Sequence, residues 1–272
     1  MTASSLAIIG VVCRRTWLKT LRRPVLLTVS FFQPLMWMLF FGFLFQRYSL
    51  DELNEVLRAR GGHARPLAYL DFLVPGISMM TILFGASQSG IGWIRDLQTG
   101  FLPRMLLCPV EPTAVLVGKL LADVLRLLGQ ALIVLALGLL LGARMEPMWS
   151  AVPLALLAVV LFAVTLASIS CTIALYTRSQ EVMATFVHTI NMPLLFTSTI
   201  LVPARQMPDW LAAVSHWNPL TATAEAWRGA LLLGQMPSLV ECLLPLAGVA
   251  VLSFVAAVRA VDNGKMVRKE KG

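Results

Sequence analysis

Charged side chains are scarce in this sequence, and their scarcity decides its class. Only 13% of the 272 residues are charged, against about 25% in soluble proteins. Six stretches contain no Asp, Glu, Lys or Arg: 24–46, 72–94, 127–143, 147–177, 182–204 and 242–258. A membrane-spanning helix needs about 20 mainly apolar residues. A large soluble helical protein is excluded, since these stretches leave no polar faces to cover its helices. We predict an all-α integral membrane protein.

Residues that usually carry catalysis or bind metals are also few. The three histidines stand in no HExxH motif, and the four cysteines lack the spacing of a metal site. Gly118-Lys119 resembles the end of a phosphate-binding loop, but Leu120 stands where that loop requires Ser or Thr. We therefore predict that the chain is not an enzyme and binds no cofactor or metal. Any ATP hydrolysis that powers it belongs to a separate subunit.

The predicted architecture is a single transmembrane domain over 1–272 with six spans. We place the spans at 24–46, 70–94, 120–143, 150–175, 182–203 and 239–259. The remaining segments are an interfacial helix (1–23), a cytoplasmic loop with a coupling helix (95–119), a re-entrant external segment (208–236) and a cytoplasmic tail (260–272). Lys and Arg are in excess in the segments that share a side with both termini, which predicts cytoplasmic termini. The net charge of +8 is attributed to anionic headgroups and insertion, and nucleic acid is not expected as a partner.

The N-terminal segment has the pattern of an amphipathic helix. Cys13, Trp17 and Leu21 fall on one face at helical spacing. The basic residues fall on the opposite face: Arg14, Arg15, Lys19 and Arg22. This pattern predicts a helix in the cytoplasmic interface with Trp17 at headgroup depth. The alternative is a basic segment that only orients the first span.

The loop at 95–119 is polar overall, yet it contains an apolar face. Phe101, Leu102, Met105 and Leu106 gather on one side of a helix. Recognition of a helix in a groove uses apolar anchors at this spacing. The face therefore predicts docking by a soluble protein from outside the bilayer.

The predicted spans contain few polar residues, and the role of each can be considered separately. Asp123 and Arg126 lie three residues apart, which favours a structural ion pair over a gating role. His188 and Asn191 have the same spacing, and hydrogen bonding between helices is favoured over contact with a substrate. Acidic groups in mid-span are almost absent, which disfavours a proton-coupled carrier.

The external segment contains a second apolar run at 222–233, interrupted only by Glu225 and Arg228. This run is too short to cross a membrane. It could enter the outer leaflet with the two charges paired and buried in protein. The alternative is an ordinary amphipathic surface helix.

Several motifs follow one another along the chain: Pro75-Gly76-Ile77, Gly100-Phe101-Leu102, Arg104-Met105-Leu106, Pro109, Gly118-Lys119 and Trp217-Asn218-Pro219. In this order they resemble the ABC-2 type permeases, the membrane subunits of ATP-binding-cassette exporters that include daunorubicin-resistance and nodulation-export permeases. The resemblance covers nearly the whole chain. Pro103 departs from it, because a glutamate is usual there, so a glutamate contact to the ATPase is not carried over. Since proline suits only the start of a helix, we expect the coupling helix to begin near Leu102 or Pro103 and to end at Cys108.

The resemblance assigns roles to residues of this chain. Coupling to the ATPase is assigned to Arg95, Asp96, Gly100, Leu102, Arg104, Met105, Leu106, Pro109, Gly118 and Lys119, and the interfacial helix to Arg14, Arg15, Trp17, Lys19 and Arg22. The translocation path is assigned to Phe31, Phe32, Met79, Met80, His188, Asn191, Met192 and Phe196, and the re-entrant segment to Trp217, Asn218, Pro219, Glu225 and Arg228.

The resemblance also implies an assembly and a location. Two protomers, expected to be identical, would pair in a bacterial inner membrane with two ATPase subunits that bind ATP and Mg²⁺. The cargo would be a hydrophobic or amphiphilic drug or lipid-like molecule, which the long external loop at 46–68 favours, or alternatively a lipid-linked polysaccharide. A membrane anchor that transports nothing is the third alternative.

Cysteine labelling tests the predicted topology. In a background without the four native cysteines, Ala59→Cys should react with an impermeant thiol reagent added to intact cells. Lys269→Cys should react only after the membrane is opened. Labelling of both cysteines in intact cells would contradict the six-span arrangement.

Overall fold

The computed structural model describes residues 3–22, 24–45, 50, 54, 67–107 and 110–269, and every regular element in these ranges is helical. The helices are α1 (Ala3–Leu21), α2 (Pro24–Leu44), α3 (Tyr69–Gln98), α4 (Phe101–Leu107), α5 (Pro112–Leu140), α6 (Val152–Thr177), α7 (Gln180–Phe196), α8 (Asp209–His216), α9 (Pro219–Arg228) and α10 (Leu244–Lys269). Single π-helical turns follow α9 (Gly229–Leu233) and precede α10 (Leu239–Leu243), and a short 3₁₀ turn covers Ala204–Gln206.

Helix α3 lies at the centre of the bundle, in contact with α2, α5, α6, α7 and α9. Every residue from Asp71 to Leu83 is buried, so this part of the helix is covered on all sides. Glycines allow the close approach of its neighbours. Gly138 of α5 lies directly against Val74, where a Cβ atom would overlap the valine side chain.

Six helices run between two polar ends of the bundle. At one end, which we call the Asp96 end, Asp96 of α3 meets Lys19 of α1 and Lys119 of α5. At the other, which we call the Arg228 end, Arg228 of α9 meets the backbone of α3 and of the segment after α7. Helices α2, α3, α5, α6, α7 and α10 connect these ends.

Within the described ranges, four helices are long and apolar enough to cross a membrane: Tyr69–Gln98, Pro112–Leu140, Val152–Thr177 and Val240–Asp262. The prediction of an all-helical membrane protein is confirmed at this level. Helix α2 contains a shorter apolar segment, Phe32–Leu44, within the residues that can be described. Helix α7 has 17 residues. The count of six spans therefore stays a prediction.

The predicted fifth span, 182–203, extends too far at its end. Helix α7 stops at Phe196, and the chain then forms a turn in which Thr197 and Ser198 donate their hydroxyls back to Pro193 and Leu195. Residues 182–204 are uncharged, so hydropathy gives no sign of this ending. The turn leaves the carbonyls of Thr199 and Ile200 outside a helix, where they accept hydrogen bonds from Arg228.

Within the external segment, helix α9 is packed into the protein, whereas most of α8 is exposed. The side chain of Asn218 caps α9 by accepting from the Leu220 N–H (2.9 Å), and its amide donates to the Leu194 carbonyl (2.8 Å). Helix α9 then packs against α3 and α6. Arg228 at its end is only 1% exposed. The alternative of an amphipathic surface helix is therefore wrong for α9.

Arg228 binds three backbone carbonyls as well as a carboxylate. Its guanidinium donates to the carbonyl oxygens of Phe72 (3.0 Å), Thr199 (2.8 Å) and Ile200 (2.7 Å), and it lies 3.7 Å above the Phe72 ring. Gly76 provides the space, because a Cβ there would be 2.5 Å from Nη2 of the arginine. The arginine thereby holds α9, the turn after α7 and the start of α3 together.

Glu225 does not share this burial. Its carboxylate accepts from Arg228 at 3.1 Å and from the Thr199 hydroxyl at 2.6 Å, but its side chain is 46% exposed. The prediction of two mutually dependent buried charges is therefore wrong for Glu225. Most of the hydrogen bonds of the Arg228 guanidinium go to backbone carbonyls. The spacing of charged residues in the sequence could not predict these partners.

The two charges should differ in their effect on stability. Arg228→Gln leaves three buried carbonyls without their donor, and losing one partner of a buried charged network costs about 3–5 kcal/mol. Glu225→Gln removes a half-exposed partner and should cost about 1 kcal/mol or less. Thermal unfolding of the detergent-solubilised protein measures both, with the exposed Arg205→Gln as the charge-matched control. Equal losses for the two variants would contradict this assignment.

Candidate coupling site

The carboxylate of Asp96 joins three helices at one end of the bundle. It lies in the last turn of α3 and is 3% exposed. Lys119 of α5 donates to Oδ2 at 2.6 Å, and Lys19 of α1 donates to Oδ1 at 2.7 Å. Arg15 of α1 approaches the same oxygen at 3.8 Å. A buried carboxylate with this many cationic partners is a structural connection between the helices that it bonds.

Gly118 and Lys119 act together in this contact. A Cβ atom at Gly118 would be 2.8 Å from the Ile9 carbonyl oxygen, so glycine is what lets α1 lie directly on α5. Lys119 is buried, with its ammonium 4.1 Å from the centre of the Trp93 ring. The glycine-lysine pair therefore fastens α1 and α3 to α5. Sequence analysis missed Trp93, which carries no pattern that distinguishes it from a packing residue.

The four basic side chains of helix α1 do not all point the same way. Val12 is buried, and Arg15 and Lys19, on the same side of the helix, turn toward Asp96. Trp17 is 37% exposed. The sequence predicts one shared face for the four basic residues, but Arg15 and Lys19 turn toward Asp96. The placement of this helix in the membrane interface stays a prediction. Arg14 and Arg22 are exposed.

A second contact holds the start of α1. The Ser5 hydroxyl donates to the Glu111 carboxylate at 3.0 Å, just before α5 begins. Helix α1 is thus bonded near its start to the residue before α5 and near its end to the last turn of α3. The sequence offered no signal for the pairing of Ser5 with Glu111, since the two residues are far apart in the chain.

A short helix is present where the coupling helix was predicted: α4, from Phe101 to Leu107. Its coupling role stays a prediction. It follows Gly100, whose φ of +74° is a conformation that favours glycine. The Arg15 guanidinium lies 3.3 Å above the Phe101 ring, so α1 also contacts α4. One glycine-containing turn therefore separates the coupling helix from the end of α3.

The apolar face of α4 covers the protein's own core. Leu102 is 2% exposed and belongs to a buried cluster with Trp93, Ile94 and Leu116, and Met105 packs against that cluster. The prediction that this face docks a partner is therefore wrong for Leu102. Helical spacing shows that a face is apolar, but it does not show which surface covers it.

Two other side chains of α4 are exposed. Arg104 is exposed, and Leu107 is 78% exposed. Arg95 is half-buried. The side chain of Leu106, and Pro109 as a whole, lie outside the described residues. The turn between α6 and α7 reaches the same end of the bundle, where Gln180 donates to the Gln98 side chain at 2.8 Å.

Polar side chains also connect the helices between the two ends. The Ser89 hydroxyl donates to the Asp123 carboxylate, whose other oxygen lies 3.7 Å from Arg126. Arg126 donates in turn to the Gly85 carbonyl at 3.1 Å. The predicted ion pair is thus present. Both of its members also form hydrogen bonds to α3, which the sequence did not predict.

Asn191 forms a hydrogen bond to helix α3, and His188 takes no part in it. The Asn191 amide donates to the Ser87 hydroxyl at 2.8 Å, whereas His188 is exposed. The helix–helix role predicted for the two residues together therefore applies to Asn191.

The residues assigned to a translocation path do not share one surface. Met79 and Met80 are at most 1% exposed and pack within the core, which contradicts their assignment to an open path in this conformation. Phe32 and Phe196 are each 60% exposed on α2 and α7. Met192 is half-buried, and the side chain of Phe31 lies outside the described set.

Two adjoining cavities open near the Arg228 end, with volumes of about 470 and 340 Å³. They share His216, Thr221, Glu225 and Gln235 in their walls, and Phe72 lines the larger one. Trp217 beside them is 86% exposed, and Pro219 occupies the first turn of α9. The walls of the cavities therefore combine apolar and neutral polar side chains with charged ones: Glu225 in both, Arg205 in the larger and Glu241 in the smaller.

Known proteins share this sequence over most of its length. The family model described as ABC-2 type transporter matches residues 8–232. A transport permease, ycf38, of Cyanophora paradoxa is 32% identical over 223 residues, which cover 80% of this chain and 72% of that protein. The daunorubicin resistance ABC transporter permease protein DrrB1 of Streptomyces coeruleorubidus is 29% identical over 205 residues, or 75% and 68% of the two chains.

A more distant relative is also named as an ABC transporter permease. A probable multidrug ABC transporter permease, YbhR, of Escherichia coli K12 is 26% identical over 168 residues, which cover 61% of this chain and 45% of that protein. Residues 8–232, which the family model matches, contain the Asp96 end, α4 and α9. The chain therefore belongs to the ABC-2 type transporter family and is a multi-pass membrane permease of that family, a transport subunit and not itself a catalyst.

Proposed function

We propose that this chain is the membrane subunit of an ATP-driven exporter and that separate ATPase subunits drive it from the Asp96 end. The observation that carries the proposal is the construction of that end. Asp96 fastens α1, α3 and α5 to one another, while Arg104 and Leu107 of the adjacent coupling helix stay exposed. A force applied to α4 would reach the central helix through the short turn at Thr99 and Gly100.

The proposed topology has six spans with both termini in the cytoplasm of a bacterial inner membrane. Helices α2 and α7 would supply the first and fifth spans. Phe45, just after α2, stacks near Tyr69 at the Arg228 end (5.1 Å between ring centres), and Gln180 starts α7 at the Asp96 end. Seventeen residues of α7 span about 26 Å, close to the hydrocarbon thickness of about 30 Å.

The proposed assembly contains two copies of this chain and two ATPase subunits that bind ATP and Mg²⁺. Exposed apolar side chains on α2 support a further contact within the membrane. Phe32, Met36, Phe40 and Phe43 recur at helical spacing and are 40–71% exposed. Either a second protomer or lipid would cover this stripe.

The cargo that we propose is a hydrophobic or amphiphilic molecule, such as a drug or a lipid-like compound. Two relatives are named for daunorubicin resistance and multidrug transport. The mixed lining of the cavities at the Arg228 end also suits an amphiphile. Export of a lipid-linked polysaccharide remains the second candidate, because it is compatible with the same topology. The exposed coupling helix disfavours a simple membrane anchor, which needs no such surface.

Substitution of two leucines in α4 tests which face of this helix contacts the ATPase. Leu107→Asp changes an exposed side chain, so the variant should insert and unfold like the wild type but no longer stimulate the ATPase. Leu102→Asp places a charge in the core, which costs several kcal/mol, so the protein should be unstable. ATPase activity with and without reconstituted permease, together with thermal unfolding, measures both effects.

The matched control is Trp149→Asp, which changes a similarly exposed apolar side chain (79%) between two predicted spans at the opposite end of the bundle. It should leave stimulation of the ATPase intact. Normal stimulation by the Leu107 variant would show that the ATPase contacts another surface.

A further inference from the structure

A groove beside α1 has a chemical character that the coupling role does not explain. It has a volume of about 540 Å³ and is lined by Val11, Arg14, Arg15, Leu18, Lys19 and Arg22. Four of these six side chains are cationic, and none of the lining residues that the structure describes is acidic. The groove therefore attracts anions.

The four cations divide into two pairs. Arg15 and Lys19 approach Asp96, which neutralises part of their charge. Arg14 and Arg22 are exposed and have no ion-pair partner within the described parts of the chain. These two arginines are separated by about two helical turns and are free to bind one anion between them.

Apolar side chains accompany the cations. Val11 is 68% exposed and Leu18 is 39% exposed, so both present apolar surface in the same groove. Trp17 is 37% exposed next to Leu18, and an exposed tryptophan is typical of the membrane interface. A ligand that satisfies the whole groove therefore needs a negative headgroup and an apolar body.

We propose that this groove binds the headgroup of an acidic phospholipid of the inner leaflet. The phosphate diester would accept from Arg14 and Arg22, and the upper acyl chain would cover Val11 and Leu18. The inner leaflet follows from the cytoplasmic placement of α1, so this part rests on the proposed topology. The acidic surface of a protein partner fits less well, because it would leave the apolar side chains uncovered.

The site connects lipid composition with the coupling segment. Arg15 and Lys19 line the groove and also contact Asp96. An anion in the groove would compete with Asp96 for these two cations. Binding of acidic lipid would therefore alter the contact that holds α1 to the end of α3.

Lipid titration of the purified full-length protein tests the proposal. Native mass spectrometry would compare binding of phosphatidylglycerol and phosphatidylcholine to the wild type and to Arg14→Gln/Arg22→Gln. The double variant should bind phosphatidylglycerol roughly 10- to 30-fold more weakly, because each cation near an anionic lipid contributes modestly and the two contributions add. Its binding of phosphatidylcholine and its thermal unfolding should not change, since both arginines are exposed.

The control is Arg144→Gln/Arg205→Gln, which removes two exposed arginines from the other end of the bundle and should retain the preference for phosphatidylglycerol. Equal binding of phosphatidylglycerol by the Arg14 and Arg22 variant and the wild type would overturn the proposal. Displacement of the lipid by millimolar inorganic phosphate would also overturn it, in favour of a site for a free anion. No ATPase is present in this assay, so failure here leaves the exporter proposal standing.

Discussion

The buried carboxylate of Asp96 is the contact on which the architecture of one end depends. Two ammonium groups, from Lys19 and Lys119, bind its two oxygens at 2.7 and 2.6 Å. Asp96 and Lys119 are both buried, and leaving such a charge unpaired costs about 3–5 kcal/mol, whereas the Lys19 side chain is 31% exposed. The position of α1, the close packing of Gly118 on Ile9 and the seat of α4 all follow once these three helices meet at one carboxylate.

The Arg228 end repeats the same physical arrangement with the opposite charge. One buried guanidinium gathers the carbonyls of Phe72, Thr199 and Ile200, and thereby fixes α9 and the end of α7 to the start of α3. The central helix is thus held at both ends by a buried charge and surrounded by apolar neighbours in between. A displacement at Gly100 would therefore reach the opposite end through one continuous helix.

The sequence was sufficient for the elements whose cause is local. Charge-free runs predicted the long helices, and Pro103 predicted the start of a short helix within one or two residues of Phe101, where α4 begins. The sequence predictions that were wrong concern contacts between parts of the chain that are distant in sequence. Leu102 faces inward because α4 closes the core beneath it, Arg15 and Lys19 turn toward Asp96, and α7 ends early where Arg228 takes its carbonyl partners. Each of these depends on a residue distant in sequence, which no local pattern records.

A double-mutant cycle between Lys19 and Asp96 tests most directly whether their contact transmits motion. Lys19→Met, Asp96→Asn and their combination would be reconstituted with the ATPase subunit, and its stimulation by each permease would be measured. If the contact couples α1 to α3, each single substitution should reduce stimulation, and the double variant should be little worse than Asp96→Asn alone. Independent, multiplicative losses would contradict the account, because they would show that the two residues act through separate contacts.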